Sequence, residues 1–181
     1  MVKGCVQLGL VPDINNTVNM VPVDHVALCT TLAAISALDQ PLSVLHITAH
    51  PLPTFNNLLS SLAGYGFSTQ QCEYLVWRRK LEQHVMDVQD NALLPLLHFV
   101  LDDLPTSTKA PELDDTNTKA LLRRNQQDAN VTVSEQLVGK YLSWLVGAGF
   151  LPPPPMTTFA KPLPSLANGT SVIKAVGRRG V

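Results

Sequence analysis

Residues 42–48, Leu-Ser-Val-Leu-His-Ile-Thr, limit what this chain can fold into more than any other stretch. The run is short, rich in branched side chains and bounded by Pro41 and Pro51, which predicts a buried strand. Behind it, Thr54 stands where a helix N-cap belongs, ahead of Phe55, Leu58, Leu59 and Leu62 on one side. Gly64 and Gly66 stop that helix, and a second extended piece is expected at 73–76, beside 42–48. Strand, helix over 54–63 and strand make a unit of an α/β layered fold.

Further helices follow from spacing. Pro22 keeps Val21 extended, and Asp24 is placed to cap a helix over 24–37 with Val26, Cys29 and Ala33 on its apolar side. Val76, Lys80, Leu81, His84 and Val85 recur at helical spacing. So do Ala92, Leu93, Leu96, Leu97, Val100 and Leu101, with Pro95 tolerated near the first turn. A polar loop over 105–118 closes onto a short helix at 117–123, and the wholly polar 124–131 is a surface linker. Thr132 and Glu135 have the spacing of a capping box for a helix over 133–148, carrying Leu137, Val138, Tyr141, Leu142, Leu145 and Val146. The proline run 152–155 ends regular structure. The domain division expected is therefore 1–151 for the folded part and 152–181 for a mobile Pro/Gly-rich tail.

With 181 residues there is room for one real core, or for two very small ones. Thirteen basic and 14 acidic side chains leave a net charge of −1, so no field favours a polyanion and a nucleic-acid partner is not expected. Cys5, Cys29 and Cys72 are too few and too scattered for a disulfide framework, and an odd count suits the cytoplasm. Asp, His, Asn or Pro interrupts every apolar run short of about 18 residues, which excludes a transmembrane helix and a membrane partner. The opening residues lack a cleavage site, so the Asn15, Asn130 and Asn168 sequons are chance matches.

Chemistry is harder to find. The glycines sit singly, and Gly64-Tyr65-Gly66 follows a helix instead of opening one, so no phosphate or dinucleotide loop is present. His46 and His50 are four apart across a strand end and a proline loop, where that spacing does not mean one face. His25, His84 and His98 have no ligand spacing either. Asp102-Asp103 and Asp114-Asp115 read as helix caps or solvated faces. Asp24 and His25 point apart on a helix, and Ser60, Ser61 and Cys72 have no local base to activate them. The residues alone assign no catalytic, no cofactor-binding and no metal site.

Several long blocks carry a resemblance. They are Lys3-Gly4-Cys5-Val6-Gln7-Leu8-Gly9, the stretch 15–27 (NNTVNMVPVDHVA), the stretch 91–115 (NALLPLLHFVLDDLPTSTKAPELDD), Gly149-Phe150-Leu151-Pro152-Pro153-Pro154 and Ala175-Val176-Gly177-Arg178-Arg179-Gly180. Together they are similar to the reductase domain of fungal L-2-aminoadipate reductases. The resemblance implies the C-terminal portion of an extended short-chain dehydrogenase (Rossmann-like) domain, with its substrate-side helical lobe and an incomplete sheet. It also implies a parent enzyme that reduces a phosphopantetheine carrier-bound aminoadipyl thioester with NADPH, in lysine biosynthesis. A thioester accepts hydride where a free carboxylate does not, and the cofactor supplies that hydride.

This chain departs from the family pattern by absence. The glycine fingerprint and the Tyr-x-x-x-Lys pair have no counterpart here, because Tyr65, Tyr74 and Tyr141 are followed four residues on by Thr69, Arg78 and Leu145. The resemblance places Gly9 and 15–23 along the substrate side. The chain alone is expected to bind no cofactor and to be inactive. Its expected partners are the missing N-terminal half of the reductase domain or a carrier domain. A small regulatory or binding protein reusing this lobe, and a nonfunctional truncated product, are the alternatives. An unpartnered 42–48 strand and the low charge also predict that the isolated chain aggregates or oligomerises.

Overall fold

Gly9 turns the first helix into the first strand. The helix α1 (Val2–Leu8) ends there in the left-handed region, φ 72°, where a Cβ would be strained. The Gly9 N–H bonds back to the Cys5 carbonyl at 2.9 Å, and its own carbonyl accepts from Gln70 N–H at 3.0 Å. Strands β1 (Leu10–Asp13) and β2 (Gln70–Glu73) then pair in parallel, Leu10 opposite Gln70 and Asp13 opposite Glu73. The computed structural model describes residues 1–36, 44–87, 91–102, 104, 109–155 and 160–166. After β1 come α2 (Val23–Ile35), α3 (Phe55–Gly64), then β2, α4 (Tyr74–Asp87), a 3-10 turn (Leu94–Leu96), α5 (Leu97–Asp102), α6 (Thr116–Arg124) and α7 (Glu135–Gly147).

The chain divides into two units, one of Met1–Asn15, Asn56–Ser107 and Glu135–Val181, the other of Asn16–Phe55 and Thr108–Ser134. In the first, α4 packs on α1 and the two strands. Its buried face is Trp77, Leu81 and Val85, and the Trp77 indole N–H donates to the Leu10 carbonyl at 3.2 Å. α7 approaches Tyr65 so closely that a Cβ on Gly139 would lie 2.4 Å from the ring. Lys161 N–H donates to the Gly64 carbonyl and Ser143 Oγ to the Pro164 carbonyl, so 161–164 lies against this unit. In the second unit, Cys29 and Leu32 of α2 meet Leu121 and Leu122 of α6. Leu28, Ala33, Leu45, Ile47 and Ala129 pack around them.

The α/β class stands, but the strands are elsewhere. Among the described residues, 44–48 join no ladder; residues 42 and 43 lie outside the described residues. Side chains take the backbone carbonyls that a neighbouring strand would use: Asn117 bonds Val44, Thr118 bonds His46 and Asn19 bonds Ile47. The 73–76 piece contributes only Glu73 to a strand, and Tyr74 already begins α4. Glu73 explains the boundary, since its carboxylate accepts from the Leu75 and Val76 N–H groups and caps that helix. Val76, one of the residues read at helical spacing, is 45% exposed, and Trp77 is buried in its place. The capping box is absent as well. α7 starts at Glu135, and the Thr132 hydroxyl is buried without a hydrogen-bond partner among the described residues. Asp24 lies inside the first turn of α2, behind an N-cap at Pro22, and binds the His25 N–H.

Candidate functional site

The polar groups that do converge belong to the second unit, where the segment 44–50 meets the start of α6. Leu45 and Ile47 turn into the core, so His46 and Thr48, on alternate positions, face the other way. Asp114 and Asp115 wait there. Asp114 Oδ1 accepts from Thr116 N–H at 3.0 Å, which starts the helix. The His46 Nδ1 lies 2.8 Å from the Asp114 carbonyl. A carbonyl only accepts, so His46 carries its proton on Nδ1. Asp115, with its side chain 12% exposed, accepts from three residues: Thr48 Oγ1 at 2.5 Å, His50 Nε2, and Lys119 Nζ at 3.0 Å.

Burial pushes the Asp115 carboxyl up, but the bonds from Thr48, His50 and Lys119 together outweigh it and hold the group well below the usual carboxylate range. Such a carboxylate is a weak base. The geometry is also wrong for a nucleophile relay. A working Thr–His–Asp relay places the imidazole between the other two groups and uses both of its nitrogens. Here Thr48 lies 2.9 Å from the same Nε2 that meets Asp115, and the Thr48 hydroxyl already gives its proton to the carboxylate. The cluster is a clamp that fastens the 44–50 segment to α6.

The remaining candidates stay apart. His25 is buried on α2 with its Nε2 3.6 Å from Cys29 Sγ. Ser60 and Ser61 both donate to the Asn57 carbonyl within α3. The Tyr65 hydroxyl donates to the Glu135 carbonyl, and that of Tyr74 contacts the Val100 and Leu101 carbonyls. Burial raises the Cys72 thiol, and pushes that of Cys5 up to about 12. The side chains of Asp102 and Asp103 lie outside the described residues. Among the described residues no group of three or more His, Cys, Asp or Glu could hold a metal ion. None of the helices described is long and apolar enough to cross a membrane.

A dinucleotide does not fit the starts of α2, α4, α6 and α7. A pyrophosphate needs free N–H groups at a helix N-terminus, usually behind glycines. Here the first turns of α2, α4, α6 and α7 hold or abut Asp24, Glu73, Asp114 with Asp115, and Glu135. At α2, α4 and α6 these carboxylates already occupy N–H groups, and all four would repel a phosphate.

No protein-family profile matches the chain. Among curated proteins, the L-2-aminoadipate reductase of Schizosaccharomyces pombe is 49% identical over 187 residues, covering 99% of this chain and 13% of that protein. This chain is homologous to a segment of the L-2-aminoadipate reductases. The L-2-aminoadipate reductase large subunit of Penicillium chrysogenum is 44% identical, and the Saccharomyces cerevisiae enzyme 43%, each across at least 98% of this chain. The chain thus spans about one seventh of the length of these relatives, 13–14%. The crystal structure of the terminal R domain from the myxalamid PKS-NRPS biosynthetic pathway superposes with a TM-score of 0.66 at 22% identity. It covers 84% of this chain and 38% of the chain in that structure. The fold is that of part of this terminal R domain.

Sequence reasoning missed the Thr48–His50–Asp115 clamp, and with reason. Thr48 and His50 lie 67 and 65 residues from Asp115, and no local pattern announces a contact at that separation.

Proposed function

We propose that this chain works as the substrate-side portion of the reductase domain of an aminoadipate-type reductase. In that setting the larger enzyme holds its substrate as a carrier-bound thioester, and NADPH reduces it to the semialdehyde in lysine biosynthesis. The cofactor, when bound, supplies the hydride. This chain's share is to build the lobe that orients the substrate, and alone it turns nothing over. The observation that carries this reading is identity of 43–49% running over 98–99% of the chain, matched to one continuous seventh of the relatives. The acid-occupied helix ends support a division of labour in which the cofactor is held elsewhere in the domain. Three free cysteines support a cytoplasmic setting.

The test is to replace the homologous segment of the Schizosaccharomyces pombe enzyme with these 181 residues. The chimera is expected to reduce carrier-bound aminoadipyl thioester with NADPH within about tenfold of the parent, a loss of at most ~1.4 kcal/mol in the barrier. A folded chimera that still loads its carrier but does not reduce the thioester would overturn the proposal. So would NADPH-dependent reduction by the chain alone.

A further inference from the structure

The proline run 152–155 has one conformation open to it, and its exposure follows that conformation. Proline fixes φ at about −65°, and a residue before proline is held extended. Pro152, Pro153 and Pro154 obey both rules at once, with trans peptide bonds. The result is a left-handed polyproline helix of three residues per turn, with side chains three apart on one ridge. Burial repeats with that period. Leu151 is 2% exposed, and Pro154 lies inward, where a Cβ on Gly66 would come 3.5 Å from the Pro154 Cβ. Pro152 and Pro155 are both exposed, and so is Pro153. One ridge is packed and the other two face outward.

The run is fastened on both sides. Before it, the Phe150 and Leu151 N–H groups donate to the Leu145 carbonyl at 2.9 and 3.1 Å, closing α7. After it, Lys161 N–H donates to the Gly64 carbonyl at 2.9 Å, and the Lys161 ammonium pairs with Glu135 at 2.7 Å. A segment already fixed in its bound shape loses little entropy on docking. Among the described residues the Pro152 and Pro153 carbonyls accept no hydrogen bond. They are open to the hydroxyl and indole N–H donors of an aromatic groove. Charge marks one end of the run. The Lys3 ammonium stands 4.8 Å from the centre of the Phe150 ring, on the amino-terminal side of Pro152.

We infer that the exposed ridge of Pro152 and Pro155 is a docking surface for a separate protein module that reads polyproline helices. Its groove is lined by Tyr and Trp and has an acidic rim that meets Lys3. The partner's chemistry follows from the ridge. Proline offers no N–H, only a flat apolar ring and a carbonyl acceptor, and aromatic side chains with hydroxyl and indole donors complement both. The single cation at one end fixes the direction in which the groove lies and asks for a negative rim. Docking there is independent of thioester reduction.

Fluorescence titration tests this, with isolated SH3, WW and EVH1 domains from the source organism added to the 181-residue chain and to the chimeric reductase. At least one domain with an acidic rim is expected to bind both saturably, with a Kd of about 1–100 μM. Pro152→Ala/Pro155→Ala should weaken that binding by about tenfold or more, as at a binding hot spot. Lys3→Glu should weaken it by about threefold at low salt and little at high salt. Pro162→Ala, at an exposed proline outside the run, should bind as the wild type does. Circular dichroism establishes that each variant is folded, and if the double variant is not, the Lys3→Glu result decides. Unchanged affinity in the folded double variant or in Lys3→Glu overturns the inference, as does an equal loss in Pro162→Ala. Failure of every domain to bind the chimera overturns it too, because the ridge would then be covered in the enzyme. Self-association of the chain that the double variant abolishes would make the exposed Tyr141 and Trp144 of a second copy the occupant, and would also overturn it.

Discussion

Removing the Asp115 carboxylate should loosen the second unit by a measurable and pH-dependent amount. In Asp115→Ala, the Thr48 hydroxyl and the His50 ring lose a common acceptor, and Lys119 loses its partner one turn away. A hydrogen bond to a charged group contributes about 1.5–3 kcal/mol. Thr48 and His50 share one oxygen, so their contributions overlap and count for less than two such bonds. The Lys119 pair, with the lysine side chain 32% exposed, adds about 0.3–0.5 kcal/mol as an i,i+4 pair. Relief of the carboxylate's burial works in the opposite direction. The balance is a loss of roughly 2–3 kcal/mol for Asp115→Ala and about half that for Asp115→Asn, which keeps an acceptor for Thr48. The sign with pH follows from the lowered carboxyl. Its stabilisation is fully present above the ordinary carboxylate value near 4 and fades as pH falls toward the lower folded value. The difference between wild type and Asp115→Asn should therefore shrink between pH 4 and pH 2. Urea unfolding followed by circular dichroism at pH 7, 4, 3 and 2 measures both quantities. Equal midpoints at pH 7, or a difference that does not change with acid, would refute the clamp.

Three further outcomes are expected. Gly139→Ala would normally favour a helix interior by about 1 kcal/mol. Here its Cβ meets the buried Tyr65 ring at 2.4 Å, so a net loss of about 1–2 kcal/mol is predicted, rescued in Gly139→Ala/Tyr65→Leu; a stabilised single variant in thermal unfolding contradicts it. The Cys5 thiol, raised to about 12 by burial, should react with a disulfide reagent at pH 8 only on the timescale of unfolding. Its neutral burial should also make stability fall as pH rises from about 9 toward 12; rapid labelling of the native chain rejects this. Fluorescence titration of the chain alone with NADPH should show no micromolar site, and saturable binding would require a cradle that the acid-occupied helix ends do not provide.

What the sequence made legible was local. The helix over 54–63 matches α3 within one residue, because Thr54, the apolar face and Gly64 are adjacent signals. The branched run at 42–48 marks an extended segment, and Leu45 and Ile47 of it pack in the core. It could not reveal that side chains of Asn19, Asn117 and Thr118 replace a strand, since these lie 28 to 73 residues away. β1 was hidden for another reason: Leu10–Asp13 is four residues long and contains a proline, too short for a period to emerge. Thr132 and Glu135 met the spacing rule for a capping box, yet the chain continues irregularly to Ser134 and Glu135 instead accepts from Lys161. The long blocks that carry the resemblance pointed to a family, whereas the site itself depends on contacts across the fold.

The central claim is that this sequence operates inside a larger reductase. It is tested most directly by the intact mass of the species carrying these residues, captured from its source cells with an antibody to α7. The account predicts a polypeptide or stable complex several times 19.6 kDa, in keeping with relatives of which the chain is about one seventh. A free monomer of 19.6 kDa as the main cellular species would contradict it.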